Sequence, residues 1–87
     1  MTRYIIKVVC EATEKNDNFY GEIHTHYEGK NHSYETDNGR LKWFAKEYGF
    51  TTKAAALQGL KSANDLAEWE TARGYWIDRC ELVEVEV

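Results

Sequence analysis

Both ends of this chain alternate, and that pattern constrains the fold more than any other feature of the sequence. The last five residues set Val83, Val85 and Val87 against Glu84 and Glu86, which is the signature of a half-exposed strand. In "TRYIIKVVCEATE" the even positions Tyr4, Ile6, Val8, Cys10 and Ala12 are apolar or small, while the odd ones mix charged and apolar residues. Period 2 with one dominant apolar face predicts a half-buried strand here too. Further back in "YWIDRCELVEVEV" the phase changes, with Trp76, Cys80 and Leu82 on even positions. Either a bulge lies near Leu82-Val83 or both faces of that strand are partly covered.

Between these strands, "EKNDN" (Glu14 to Asn18) collects turn formers, and a second strand is expected over roughly Phe19 to Tyr27. The stretch "EIHTHYEGKNHSYE" then reads as a hairpin. A two-residue turn at Gly29-Lys30 would pair Tyr27 with His32, His26 with Ser33 and Thr25 with Tyr34. One face would carry Ile23, Thr25, Tyr27, His32 and Tyr34, and the other His24, His26, Glu28, Ser33 and Glu35. A turn follows, with Asn38-Gly39 as its strongest punctuation. In "LKWFAKEYGF", Leu41, Phe44, Ala45 and Tyr48 fit a short helix ending at Gly49, whereas Leu41, Trp43 and Ala45 fit a strand; the helix is favoured. Thr51 or Thr52 is expected to cap a longer helix whose inner stripe is Ala56, Leu57, Leu60, Ala63 and Ala67. Leu66 and Trp69 fall off that stripe, Ser62 to Asp65 resembles a capping box where the helix could bend or restart, and Gly74 is placed to end it. The order of elements predicts an α+β fold: one domain over residues 1–87, a small, mainly antiparallel sheet of N-terminal strand, hairpin and C-terminal strand, with a helical region packed on one face.

Composition narrows the function classes. The 87 residues carry 11 lysines and arginines against 15 aspartates and glutamates, a formal net charge of −4, which argues against direct nucleic-acid binding. No apolar run approaches the roughly 20 residues a membrane span needs, and no signal-peptide pattern follows Met1, so a cytoplasmic protein is expected. Cys10 and Cys80 then read as reduced, buried, small apolar residues. The six glycines are scattered singly, so no phosphate-binding loop is present. No histidine is placed beside a nucleophile by sequence, and no catalytic residue and no cofactor are called for.

Three residue sets remain. His24 and His26, with Glu28 and Glu35, share a strand face and are candidate metal ligands. Glu81, Glu84 and Glu86 on the last strand, with Glu68 and Glu70 on the helix, would form one acidic surface if the first and last strands are neighbours. Of twelve aromatics, Trp43, Trp69 and Trp76 are the candidate binding anchors, because tryptophan is enriched at interface hot spots.

The aromatic-to-threonine helix entry at Phe50-Thr51-Thr52, the alanine-rich helix from Ala54 to Leu60 and the Glu/Val ending "CELVEVEV" resemble the plan of many short phage and prophage proteins. Some small acidic proteins of that class, anti-CRISPR proteins among them, inhibit host defence nucleases. The resemblance carries no defined site and transfers no residue. It implies a non-catalytic modulator that occludes a host protein or nucleoprotein complex through an acidic and aromatic surface, possible as a homodimer. The alternatives are a small-molecule or metal-binding homo-oligomer with its site near the hairpin, and a structural or assembly protein.

Overall fold

The first strand lies inside the sheet and the last strand beside it. A computed structural model describes residues 1–35 and 39–87 as β1 (Thr2–Ala12), β2 (Ile23–Glu28), β3 (Ser33–Tyr34), α1 (Leu41–Tyr48), α2 (Lys53–Arg73) and β4 (Trp76–Glu86). The strands form one antiparallel sheet in the order β3-β2-β1-β4. The α+β architecture with strands at both ends is the one the alternation predicts. Pairing of β1 with β4 runs unbroken from Thr2 opposite Glu86 to Ala12 opposite Trp76, so there is no bulge at Leu82-Val83. The phase change has the other cause: both faces of β4 are partly covered.

Successive residues of a strand face opposite sides, and the two helices take one side each. Ile5 and Tyr27 are buried with Phe44 and Ala45 of α1, and Val83, Val85 and Val87 pack around them. On the reverse side Ile6, Val8 and Ala12 are buried beneath α2, whose Ala56 and Ala67 are buried in turn. Small residues let α2 sit close: a Cβ on Gly59 would come within 3.2 Å of Ile6 Cδ1 and 2.8 Å of Phe50 Cζ. Full burial of Ile5 and Phe44 contributes about 1.5–3 kcal/mol each. The helical region read as a single layer is thus divided between the two sides.

The link between the helices explains how the chain changes sides. Beyond the end of β2, Phe50 takes the vacant place beside β1, exchanging hydrogen bonds with Tyr4 of 3.0 and 2.8 Å. The Lys30 N–H donates to the Tyr48 carbonyl at 2.6 Å. Gly29 permits this crossing, since a Cβ there would lie 2.2 Å from the Tyr48 oxygen. That close approach corrects the hairpin register. Four residues, Gly29 to His32, separate the strands, Glu28 pairs with Ser33 and Tyr27 with Tyr34, and Asn31 takes a positive φ of 56°. A shift of two residues leaves each side chain on its expected face. His32 accordingly stacks on Tyr48, with ring centroids 3.9 Å apart, although it is exposed.

Other boundaries follow local chemistry. Phe19 to Gly21 belong to turns and β2 begins only at Ile23; Gly21 has a positive φ of 86°, which breaks an extended chain. The short helix holds over Leu41–Tyr48. Of the turn read at Asn38-Gly39, Asn38 lies outside the described residues and Gly39 has φ of 83°. Thr52 caps α2, accepting from the Ala55 N–H at 3.2 Å, and Gly74 ends it in the left-handed region. No break occurs at Ser62; α2 is continuous for 21 residues because its Ala56 to Ala67 stripe lies along the sheet throughout.

Candidate functional site

Geometry leaves half of one sheet face without a helix. With about 4.8 Å between strands and a helix diameter near 10 Å, one helix covers roughly two strands. α2 lies over β4 and β1, so the same face of β2 and β3 forms the floor of a groove along its flank. Toward one end the groove encloses about 610 Å³ lined by Cys10, His24, Thr25, His26, Glu35, Glu70, Trp76 and Asp78. Toward the other it encloses about 600 Å³, with Ile6, Glu28, Gly29, Ser33, Phe50, Ala63 and Leu66 in its lining.

The floor comes from strand parity. Cys10 stands opposite His24 on one side and Asp78 on the other, and Val8 opposite His26 and Cys80, so all six side chains share a face. His26 Nε2 lies 2.9 Å from Glu28 Oε2, and this hydrogen bond raises the imidazole pKa above 6.5; burial opposes the shift, while Glu28, Glu35 and Asp78 add to it by charge. His24 contacts Glu22 at 3.1 Å, and its ring lies 5.1 Å from that of Trp76, which also meets Phe19. Burial, then donation of the thiol hydrogen to the Asp78 carboxylate and the charge of that carboxylate, pushes the Cys10 thiol up to about 12. Burial likewise raises Cys80. Both cysteines are free and half-buried rather than fully enclosed. Asp78 Oδ1 is buried without a hydrogen-bond partner, although the Asp78 N–H donates to Thr71 Oγ1 at 3.0 Å.

The walls come from α2. Taking the line of buried Ala56 and Ala67, with half-buried Ala63 between them, as facing the sheet, a turn of 100° per residue swings Ser62, Leu66, Glu70 and Arg73 toward β2. Leu66 is 58% exposed, and Trp69 above it 57%. Arg73 lies over the Trp69 ring at 5.0 Å and reaches Glu70 at 3.5 Å. These are the residues that fell off the inner stripe.

The candidate sets fare differently. His24, His26 and Glu35 do line the groove together, with Glu28 farther along it. Each histidine is engaged by its own glutamate, and no three His, Cys, Asp or Glu side chains among the described residues are grouped to hold a metal ion. The acidic five do not make one surface. β1 and β4 are neighbours, but Glu81 faces the side of Ile5 and Val83, where Lys7 meets it at 3.9 Å, whereas Glu84 and Glu86 face the other. Glu86 accepts from the Thr2 hydroxyl. Glu84 and Glu86 also stand six and eight residues along β4 from Asp78, about 20–27 Å, while Glu68 lines a separate depression with Thr71. Of the acidic set only Glu70 belongs to the groove. Trp76 lines it; Trp69, three residues beyond Leu66 and turned farther toward solvent, is outside the lining; Trp43 sits on α1, with Arg40 over its ring at 4.8 Å. Sequence reading missed Cys10, Asp78 and Leu66 as groove residues, and their even positions on strands, or offset from the alanine stripe, were the available signal.

No helix among the described residues is long and apolar enough to cross a membrane. No family model matches the chain, and no curated protein or solved structure matches it at a significant level.

Proposed function

We propose that this is a non-catalytic binding protein that acts stoichiometrically by occluding a partner protein, and that the groove beside α2 is its main contact surface. The observation that carries this reading is the second apolar stripe of α2, Leu66 and Trp69, more than half exposed beside an uncovered sheet face. Isolated exposed leucines need no explanation. A leucine in the wall of a groove of this size, with an exposed tryptophan three residues farther along the same helix, forms the kind of apolar anchor that hot spots use. Cys10, the thiol in the groove, fits a non-catalytic role, because a thiol held protonated up to about 12 is a poor nucleophile. The resemblance to small phage and prophage proteins suggests the setting: a modulator from a mobile element acting on a host protein, such as a defence nuclease complex.

The test uses three baits in host lysate: the natural protein, a Leu66→Asp/Trp69→Ala variant, and a Glu84→Lys/Glu86→Lys variant. The same partner should be retained by the first and third and lost from the second. Retention by the Leu66/Trp69 variant at the natural level would remove the groove from the function. Loss from the glutamate variant alone would return the function to β4.

A further inference from the structure

The geometry points to a specific occupant for the groove, resting on the reading of it as the contact surface: an amphipathic α-helix of the partner protein, bearing lysines or arginines, that lies alongside α2 and completes a two-helix layer on that side of the sheet.

Shape argues for a helix. β2 is left open on this face, with β3 beside it over Ser33–Tyr34, and where the two pair the floor is about one helix diameter wide. β2 has six residues, about 20 Å of floor, matching roughly 13 residues of helix. An extended peptide has less to gain, because the floor is made of side chains such as His24 and His26 standing off the sheet. Backbone N–H and C=O groups that could continue a ladder lie at sheet edges, not on this face.

Chemistry argues for an apolar stripe and a basic flank. Leu66, Ala63 and Phe50 supply the apolar wall. Glu28, Glu35, Glu70 and Asp78 supply four carboxylates against Lys30, two histidines and the rim guanidinium of Arg73, which Glu70 already engages. An occupant with cations would meet Glu28 and Glu35 on the hairpin side while its leucine-type residues met Leu66 and Trp69. An acidic occupant would be repelled from both ends.

Three synthetic peptides of about 14 residues and identical charge provide the test. One places leucines at i, i+3, i+4 and i+7 with lysine and arginine flanks; the second scrambles that composition so that no apolar face exists; the third carries a central proline. Backbone amide and tryptophan indole N–H shifts of the full chain are read on titration. The amphipathic peptide should bind at least about tenfold more tightly than either control, gain helical dichroism, and shift Leu66, Trp69 and His26. Leu66→Asp, at an exposed position that leaves the core intact, should weaken binding by about tenfold or more. Absence of binding, equal binding of the three peptides, or shifts away from the groove would overturn the inference. Groove-localised preference for the proline or scrambled peptide would overturn the helix while leaving the groove as the contact surface. Equal capture by the natural and Leu66/Trp69 baits would defeat the groove reading itself.

Discussion

His26 and Glu28 stand on the same face of β2 with their side chains hydrogen-bonded at 2.9 Å, and both are about one-third exposed. The pair sits where the two ends of the groove meet. Because the carboxylate stabilises the imidazolium, His26 titrates above 6.5, and an NMR titration of its ring carbons should show this directly. Glu28→Gln should bring the pKa down. The contribution to stability has a definite sign. A group whose folded pKa is raised stabilises fully below its unfolded value, here 6.5, and the contribution fades as pH rises through the folded pKa. Stability of the natural protein relative to Glu28→Gln should therefore be greatest in mild acid, provided the carboxylate is still ionised.

Cys10 makes the opposite kind of chemical statement. With its thiol pushed from 9.0 to about 12, alkylation by iodoacetamide near pH 8.5 should be markedly slower than in an unfolded peptide of the same sequence. Asp78→Asn removes the second and third causes of the shift and leaves burial, the first. It should speed alkylation partway, as mass spectrometry of a Cys80→Ser background would show. The unfolded chain releases this proton above 9 and the folded chain does not until about 12, so stability should fall across that window.

Gly29→Ala tests the crossing between the two sides of the sheet. The new methyl would lie 2.2 Å from a backbone oxygen, where no flexible side chain can give way. A loss of about 1–3 kcal/mol or more is expected in urea denaturation. Gly39→Ala tests a different cause, since nothing lies within 4 Å of its Cβ and only the φ of 83° resists the change; about 1 kcal/mol is expected there.

Phe44→Ala and Leu66→Ala should separate core from surface. Phe44 is 1% exposed and stacks on Tyr34 with ring centroids 5.3 Å apart, so its truncation should cost about 3–5 kcal/mol. Leu66→Ala should stay within about 0.5 kcal/mol, since an exposed side chain away from special features contributes little. A much larger loss at Leu66 would make it a structural residue, not a contact.

The glutamates of β4 have a reading other than recognition. β4 is an edge strand of 11 residues, and the backbone groups of its even residues point away from β1. Charge on an edge strand discourages pairing with another chain. Glu84→Val with Glu86→Val would leave five consecutive valines from Val83 to Val87, and light scattering should then show more self-association than in the natural protein.

Alternation at the chain ends, the threonine cap and the alanine stripe were enough to read the α+β class, α2 and the two faces of the hairpin, because those depend on periods of 2 and 3.6 within one segment. What local pattern could not supply was the pairing of Thr2 with Glu86 and of Cys10 with Asp78, which join residues far apart in sequence. Lacking that register, Glu81 and Glu84 looked like neighbours on one surface, though an odd separation puts them on opposite sides. The groove was illegible for the same reason: Glu70, His26 and Asp78 come from three elements that only the completed sheet brings together. Gly29 looked like a turn residue, and its tighter constraint comes from Tyr48, nineteen positions away.

Placing the first strand inside the sheet and the last strand at its flank has a consequence for synthesis. As the polypeptide leaves the ribosome, β1, β2 and α1 emerge early, but β1 keeps one raw side and α2 lacks most of its floor until residues 76–86 follow. Pairings of such long sequence separation form late. The fold of the nascent chain therefore remains unfinished until β4 has emerged, and a product cut short before β4 should be cleared by proteases instead of accumulating as a smaller domain.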